Sequence, residues 1–138
     1  MIAPVLAVDD VDVSLAFYTE KLGFKQDMVL PGSDGVNAFA GISLGQASFM
    51  LSRNAVENRG KGVVFMVYLA DDIDIDTVYS DILSKGVAME QEITTEYWGD
   101  RVFTVVDPDG YYVALAKTVE QADMEHVEKV MRGEVERE

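Results

Sequence analysis

The sequence predicts an α+β fold made of two tandem βαβββ modules, and three observations predict it. The segment at residues 5–24, VLAVDDVDVSLAFYTEKLGF, matches the segment at residues 67–87, VYLADDIDIDTVYSDILSKGV, in its order of strand, Asp-Asp, helix and glycine. The two copies align at an offset of 62 to 63 residues. Three strand-like runs then follow each predicted helix.

In the first module, the predicted helix is capped by Asp9 or Asp10 and ends at Gly23. Its apolar residues recur three or four positions apart and therefore share one face: Val11, Leu15, Tyr18 and Leu22. The strands that follow are predicted around residues 24–30, 36–43 and 47–52, separated by the turn sequences PGSDG and LGQ.

In the second module, the predicted helix is capped by Asp72 or Asp74 and ends at Gly86. Its apolar face consists of Ile75, Val78, Tyr79 and Ile82. Strands are predicted around residues 88–94, 101–106 and 111–117, with turns at YWGD and DPDG. One helix covers only one face of a sheet, so the two modules are expected to pair and leave a concave cup of mixed sheet.

The predicted domain spans residues 1–117 and comprises the modules 1–54 and 62–117, joined by the polar, glycine-containing linker RNAVENRGKG. Residues 118–138 are predicted to form a C-terminal helix, at 119–132, and a frayed acidic tail. The helix is expected to pack through Met124, Val127 and Met131.

Composition narrows the function classes. The 138 residues include no cysteine, which removes disulfides, a thiol nucleophile and thiolate metal sites. A formal charge of −14 disfavours nucleic acid and anionic membrane surfaces as partners. The longest apolar run, residues 63–70, is far shorter than the roughly 20 residues of a membrane helix. We expect a soluble cytoplasmic protein without nucleic acid or membrane partners.

Together, the tandem repeat, the helix SLAFYTEKLGF and the ending GDRVFTVVDPDGYYVAL resemble the vicinal oxygen chelate superfamily over about residues 2–117. That superfamily includes glyoxalase I, extradiol dioxygenases and bleomycin-resistance proteins. The resemblance implies a cup formed by the sheets of both modules. In metal-dependent members, four inward-facing strand positions, usually His, Glu or Gln, hold a divalent ion.

By that resemblance, the four ligand positions fall on Ala3, Phe65, Ala114 and Met50, or on Phe49 in place of Met50 if the gap is placed differently. Alanine and phenylalanine have no donor atom, and a methionine thioether is too soft for zinc, magnesium or manganese. We therefore expect no metal and no cofactor. The only histidine, His126, lies outside both modules. The pairs Asp9-Asp10 and Asp71-Asp72 are interpreted as helix caps.

These substitutions predict a metal-free protein, resembling the bleomycin-resistance proteins, that binds a small organic molecule in an apolar cup. The ligand is expected to be planar or cationic, and the protein to be a homodimer, as the family commonly is. The predicted binding residues are Met50, Phe65, Trp98, Arg101 and Tyr112.

Alternatives stay open at this point. A lyase, isomerase or dioxygenase-like enzyme of the same superfamily, with or without metal, would draw on Glu96, Tyr97, Arg101 or Tyr112. No nucleophile is paired with a base in the sequence. Trp98 equally fits a gap-filling role at an interface, and Arg101 a role at the end of its strand.

Overall fold

The computed structural model describes residues 3–54 and 60–136, and it confirms the α+β architecture of two βαβββ modules. In the first module, helix α1 continues into a π-helical segment, Phe17–Lys21. The elements are β1 (Val5–Val8), α1 (Val11–Ala16), β2 (Lys25–Pro31), β3 (Asn37–Leu44) and β4 (Ala47–Arg53).

The second module repeats this order and is followed by a short C-terminal helix. Its elements are β5 (Val64–Tyr68), α2 (Ile75–Ser84), β6 (Met89–Thr95), β7 (Asp100–Val106) and β8 (Tyr112–Thr118), and the last helix is α3 (Met124–Met131). Part of the predicted linker, at 55–59, and the last two residues of the predicted tail lie outside the described residues. Within the described part of the chain, no helix is long and apolar enough to cross a membrane.

Each module forms its own four-stranded mixed sheet. The strand orders are β1-β4-β3-β2 and β5-β8-β7-β6. The pairs β1/β4 and β5/β8 are parallel, and the remaining pairs are antiparallel. The helix of each module covers one face of its sheet and leaves the other face open.

Aspartates cap the helices, as the sequence predicts. The Asp10 carboxylate accepts from the backbone N–H of Val13 at 3.2 Å, and Asp74 accepts from that of Asp76 at 3.1 Å. These contacts satisfy amides at the first turn that have no partner within the helix. Of the two cap candidates in each module, the structure therefore selects Asp10 and Asp74.

The helix-covered faces of both sheets meet in one hydrophobic core. Phe49 of β4 and Phe65 of β5 pack with ring centroids 4.8 Å apart, which joins the two modules. Tyr18 is fully buried in this core, edge-to-face against Phe24 with ring centroids 5.3 Å apart. Burial of such aromatic surface is a main source of stability for a chain without disulfides.

The DPDG turn fastens the second module to the first. Asp107 accepts a hydrogen bond from the Tyr18 hydroxyl at 2.7 Å. Asp109 accepts from the backbone N–H of Asp9 at 2.8 Å and from the hydroxyl of Ser14 at 3.1 Å. A turn whose sequence needs only hairpin chemistry thus also supplies polar contacts between modules.

Helix α3 is shorter than predicted, and its packing face differs. The backbone N–H groups of Val119 and Glu120 bond the carbonyl of Gly99, so these residues continue the β8 end, and the helix begins only after the Asp123 cap. Val127 is buried as expected, but its buried partner is Val130. The prediction of Met124 and Met131 as packing residues is wrong, since their exposed fractions are 61% and 74%.

Candidate functional site

The open face of the second sheet carries a pocket of about 300 Å³. Its floor is apolar: Val102 and Ala114 line it, and both pack with Ala116 in a separate buried cluster. Strand pairing places Ala114 between Met66 of β5 and Thr104 of β7. The further lining residues are Val64, Glu90, Gln91, Trp98 and Tyr112.

The small side chain of Ala114, in the middle of β8, leaves room for the pocket. Side chains two residues apart on a strand share a face, so Tyr112 and Ala114 both belong to the open face. A larger residue at position 114 would fill the space that the pocket occupies. The resemblance places a metal ligand at this position. In this protein, the residue there is an alanine that forms part of the floor of the pocket.

Trp98 is held at the rim of the pocket by Asp100. The Trp98 indole N–H donates to the Asp100 carboxylate at 3.0 Å. The same carboxylate accepts from the Tyr68 hydroxyl at 2.7 Å and from the Thr118 hydroxyl at 2.8 Å. We call these four residues, Tyr68, Trp98, Asp100 and Thr118, the polar corner of the open face.

The polar corner exists because the residue beneath it is small. Ala116 pairs with Tyr68 on one side and with Val102 on the other, so the Tyr68 ring can cross β8 and reach Asp100 on β7. The hydrogen bond to Asp100, with burial second, raises the pKa of the Tyr68 phenol above its usual range. Tyr68 therefore stays a neutral donor at physiological pH.

The turn before β7 sets the position of Trp98. The N–H of Gly99 bonds the carbonyl of Glu96 at 3.0 Å, which closes a tight turn over the sequence EYWG. Gly99 has φ of 96°, and a Cβ there would collide with the backbone carbonyl of Glu120. Only glycine fits both requirements, so this position fixes where the indole stands.

The structure brings only some of the predicted binding residues together. Trp98 and Tyr112 line the same pocket. Met50 lies on the equivalent open face of the first sheet, where it pairs with Val5 and Gly41. Phe65 is on the opposite face of the second sheet, packed between Phe49 and Tyr111 in the core.

Arg101 also points away from the pocket. Its guanidinium forms an ion pair with Asp76 of α2 at 2.7 Å and donates to the Thr95 hydroxyl at 3.1 Å. The hydrogen bond to Arg101 lowers the pKa of the Asp76 carboxyl. Arg101 therefore ties α2 to β7 on the covered face, and it does not share a surface with Trp98.

Sequence reasoning missed Met66, Tyr68 and Asp100. The signal available for the first two was alternation along β5, since Val64, Met66 and Tyr68 occupy every second position. Asp100 stands two residues from Val102 on β7 and so belongs to the same face. Its acidic side chain immediately after the Trp-Gly pair was the signal for a partner of the indole.

The positions that the resemblance assigns to metal ligands carry no set of side chains that could bind a metal ion. Among residues 3–54 and 60–136, no group of three or more His, Asp or Glu side chains converges as a metal site would require. Register shows that Met66, and not Phe65, is the β5 residue beside Ala114. Neither side chain offers a ligand for a hard cation.

Comparison with known proteins agrees with this architecture. The family model of the Glyoxalase/Bleomycin resistance protein/Dioxygenase superfamily matches residues 2–115. An uncharacterized protein of Mycobacterium tuberculosis (strain ATCC 25618 / H37Rv) is 23% identical over 142 residues, covering 96% of this chain and 83% of the relative.

Two solved structures share the fold. TioX from Micromonospora sp. ML1 superposes with a TM-score of 0.69 at 20% identity, covering 87% of this chain and 97% of TioX. TnmS3, an antibiotic binding protein from Streptomyces sp. CB03234, superposes with a TM-score of 0.68 at 22% identity, covering 86% of this chain and 95% of TnmS3.

Proposed function

Because the chain belongs to the glyoxalase/bleomycin resistance protein/dioxygenase superfamily, we propose that it binds a small organic molecule, without a metal, on the open face of its second sheet. One observation carries the proposal: the floor of the pocket is Ala114, where the family resemblance places a metal ligand, while the indole of Trp98 stands at the rim. An apolar floor with a fixed aromatic ring is typical of sites that hold organic ligands. The antibiotic-binding neighbour TnmS3 supports the same class of function.

The placement of Met50, Phe65 and Arg101 refines the proposed site. Met66 takes the place expected for Phe65 beside Ala114, and the polar side chains that line the pocket are Glu90, Gln91 and Thr104. Tyr112 lies at the edge of the pocket with an exposed fraction of 36%, where it can contact a ligand.

An enzymatic alternative finds less support in the geometry. Arg101 is engaged with Asp76 on the covered face. The Glu96 carboxylate accepts from the side-chain amide of Gln91 at 3.1 Å. If Glu96 were a general acid or base acting together with Arg101, both side chains would have to lie within hydrogen-bond reach of one substrate. Instead, Glu96 and Arg101 make separate structural contacts.

The same proposal includes a cytoplasmic homodimer. Each sheet leaves large apolar side chains on its open face, and exposed fractions there reach 57% at Val5, 51% at Leu30 and 55% at Val64. Such surfaces are covered in most soluble proteins by a partner or a ligand. We propose that the open face of one module closes over the open face of the other module in a second copy.

The first prediction concerns metal content. Purified protein is expected to carry no stoichiometric divalent metal after dialysis, because Ala114, Met66 and Met50 offer no hard donor atom at the open faces. Elemental analysis by mass spectrometry measures this directly. One zinc, nickel, iron or manganese ion per chain would contradict the metal-free proposal.

The second prediction concerns ligand binding beside Trp98. Because Trp98 is the only tryptophan, titration with a library of aromatic and amine-bearing compounds is expected to quench or shift its fluorescence. Trp98→Phe is expected to keep the fold but to weaken ligand binding by on the order of 1 kcal/mol. The phenyl ring offers less stacking surface than the indole, and it lacks the N–H that donates to Asp100.

A matched control for this change is Tyr79→Phe, an aromatic substitution on α2 whose ring packs against Phe103 in the covered core with centroids 5.0 Å apart. It is expected to leave affinity unchanged. Ligands that bind by calorimetry without altering Trp98 emission would show that the site lies elsewhere.

A further inference from the structure

Asp100 is a buried carboxylate whose charge has no cationic partner. Its exposed fraction is 5%. Its three hydrogen-bond donors, the side chains of Tyr68, Trp98 and Thr118, are all neutral. Within residues 3–54 and 60–136, no lysine or arginine forms an ion pair with it. Neutral donors stabilise a negative charge but do not cancel it.

The basic residues nearest to Asp100 along the strands form their contacts on the covered face of the sheet. Arg101 pairs with Asp76 on α2. Lys117 donates its ammonium hydrogens to the backbone carbonyls of Asp71 and Ile73 at 2.9 and 2.5 Å. Both cations therefore lie on the covered face of the sheet. Neither of them neutralises the negative charge of Asp100 on the open face.

The pocket beside Asp100 is acidic as well as apolar. Glu90 is one of its lining residues, and none of those residues is a lysine or an arginine. Coulomb attraction between charges is several times stronger at a partly buried site than in bulk water. An anionic ligand would be repelled here, whereas a cation would be attracted.

Trp98 connects this charge to a ligand. A cation placed over the face of an indole is attracted by the ring, and tryptophan is the strongest of the aromatic side chains in this respect. Its N–H donates to a carboxylate, which polarises the ring so that its face becomes more negative. Asp100 therefore acts on a ligand both through its own field and through the indole that it orients.

We propose that Asp100 makes this pocket selective for planar organic cations, such as aromatic nitrogen heterocycles alkylated on the ring nitrogen, over neutral molecules of the same shape. The inference rests on the proposed function and adds the charge of the ligand to it. Asp100 is a specificity-determining residue in this proposal, and Trp98 provides the contact surface.

The test compares two probes of the same ring system, N-methylquinolinium and quinoline, at pH 8, where quinoline is neutral. Affinities are measured by calorimetry and by Trp98 fluorescence. Wild-type protein is expected to bind the cation about tenfold more tightly than the neutral probe, because the charge of Asp100 attracts the cation and not the neutral ring. Raising the salt concentration should narrow this ratio.

Asp100→Asn isolates the charge because the amide keeps the shape of the carboxylate. Its oxygen can accept from Tyr68 and Trp98, which share one carboxylate oxygen, and its NH₂ can donate to Thr118. This variant is expected to lose most of the preference for the cation and to keep its affinity for quinoline. Glu20→Gln, an equal change of charge in the first module, should keep the preference.

Each outcome decides the inference. Equal affinities of the wild-type protein for the two probes would overturn it even if Asp100→Asn failed to fold. An equal loss of both probes in a folded Asp100→Asn would assign Asp100 a purely structural role. If quinoline quenches Trp98 without any preference for the cation, the proposed function stands and this inference fails. If neither probe nor any library compound binds, both fail.

Discussion

Replacing Asp107 with alanine is expected to lower the free energy of unfolding by about 3–5 kcal/mol, because it removes the acceptor of several buried donors at once. The carboxylate accepts from the Tyr18 hydroxyl at 2.7 Å and from the backbone N–H groups of Tyr111 and Asp109 at 2.8 and 2.9 Å. Tyr18 is fully buried, and Asp107 is 4% exposed, so water cannot replace the lost contacts.

The matched control is Asp107→Asn, which keeps an oxygen acceptor for the two backbone donors. Its cost is expected to be about 1 kcal/mol, since only the contact with Tyr18 must rearrange. Urea denaturation followed by circular dichroism measures both variants. A loss from Asp107→Ala no larger than that from Asp107→Asn would show that this turn contributes little to the joining of the modules.

The stability contributed by Asp107 also depends on pH in a defined direction. Burial raises the pKa of the Asp107 carboxyl in the folded protein, against an unfolded value of about 4. The folded state therefore holds this proton more tightly than the unfolded state does. The stability that protonation of Asp107 adds is fully present below about pH 4 and is lost as the pH rises through the raised folded pKa.

The pairs Asp34 with Arg53 and Asp76 with Arg101 act in the opposite sense. Hydrogen bonds from arginine lower the pKa of these two carboxyls, so their contribution is present above pH 4 and is lost as pH falls through the lowered values. The difference between wild type and Asp107→Asn removes these shared terms. That difference should change only in the window above pH 4, in which Asp107 titrates.

The secondary structure could be predicted because its signals are local. The apolar spacing of α1 and α2, the capping aspartates and the turn glycines each depend on residues fewer than five positions apart. The repeat of the whole pattern then predicted two modules with the same order of elements. The structure adds few surprises at this level, apart from the late start of α3.

The faces of the strands were harder to predict. The alignment of the two modules left one residue of slack, and a shift of one residue moves a side chain to the other face of a sheet. Phe65 was therefore expected beside Ala114, where the register places Met66. Arg101 was assigned to the site as a polar group, although its alternation with Asp100 and Val102 puts it on the covered face.

The polar contacts could not be predicted because they join distant parts of the chain. Tyr68 and Asp100 are 32 residues apart, and Tyr18 and Asp107 are 89 residues apart. Which hydroxyl reaches which carboxylate depends on strand order and, for Tyr68 and Asp100, on the small side chain of Ala116 between them. No local pattern in the sequence encodes that arrangement.

Leu30→Asp is expected to convert the proposed homodimer into a monomer. Leu30 pairs with Phe39 on the open face of the first sheet and is 51% exposed, so a partner that covers this face would bury it. A carboxylate there would lie unpaired against the apolar surface of the partner. A buried, unpaired charge weakens such interfaces by about 2 kcal/mol or more, which is roughly 30-fold in the dissociation constant.

Val13→Asp is the matched control because Val13 is also aliphatic, is 52% exposed and lies on α1, away from the open face. Light scattering coupled to size-exclusion chromatography gives the mass of each variant across a range of concentrations. We expect wild type and Val13→Asp to have twice the mass of the chain and Leu30→Asp to have the mass of one chain. A monomeric wild type, or dimers of Leu30→Asp as stable as those of wild type, would mean that the open faces are not the dimer interface. In that case the apolar surface around Val5, Leu30 and Val64 would need a different partner.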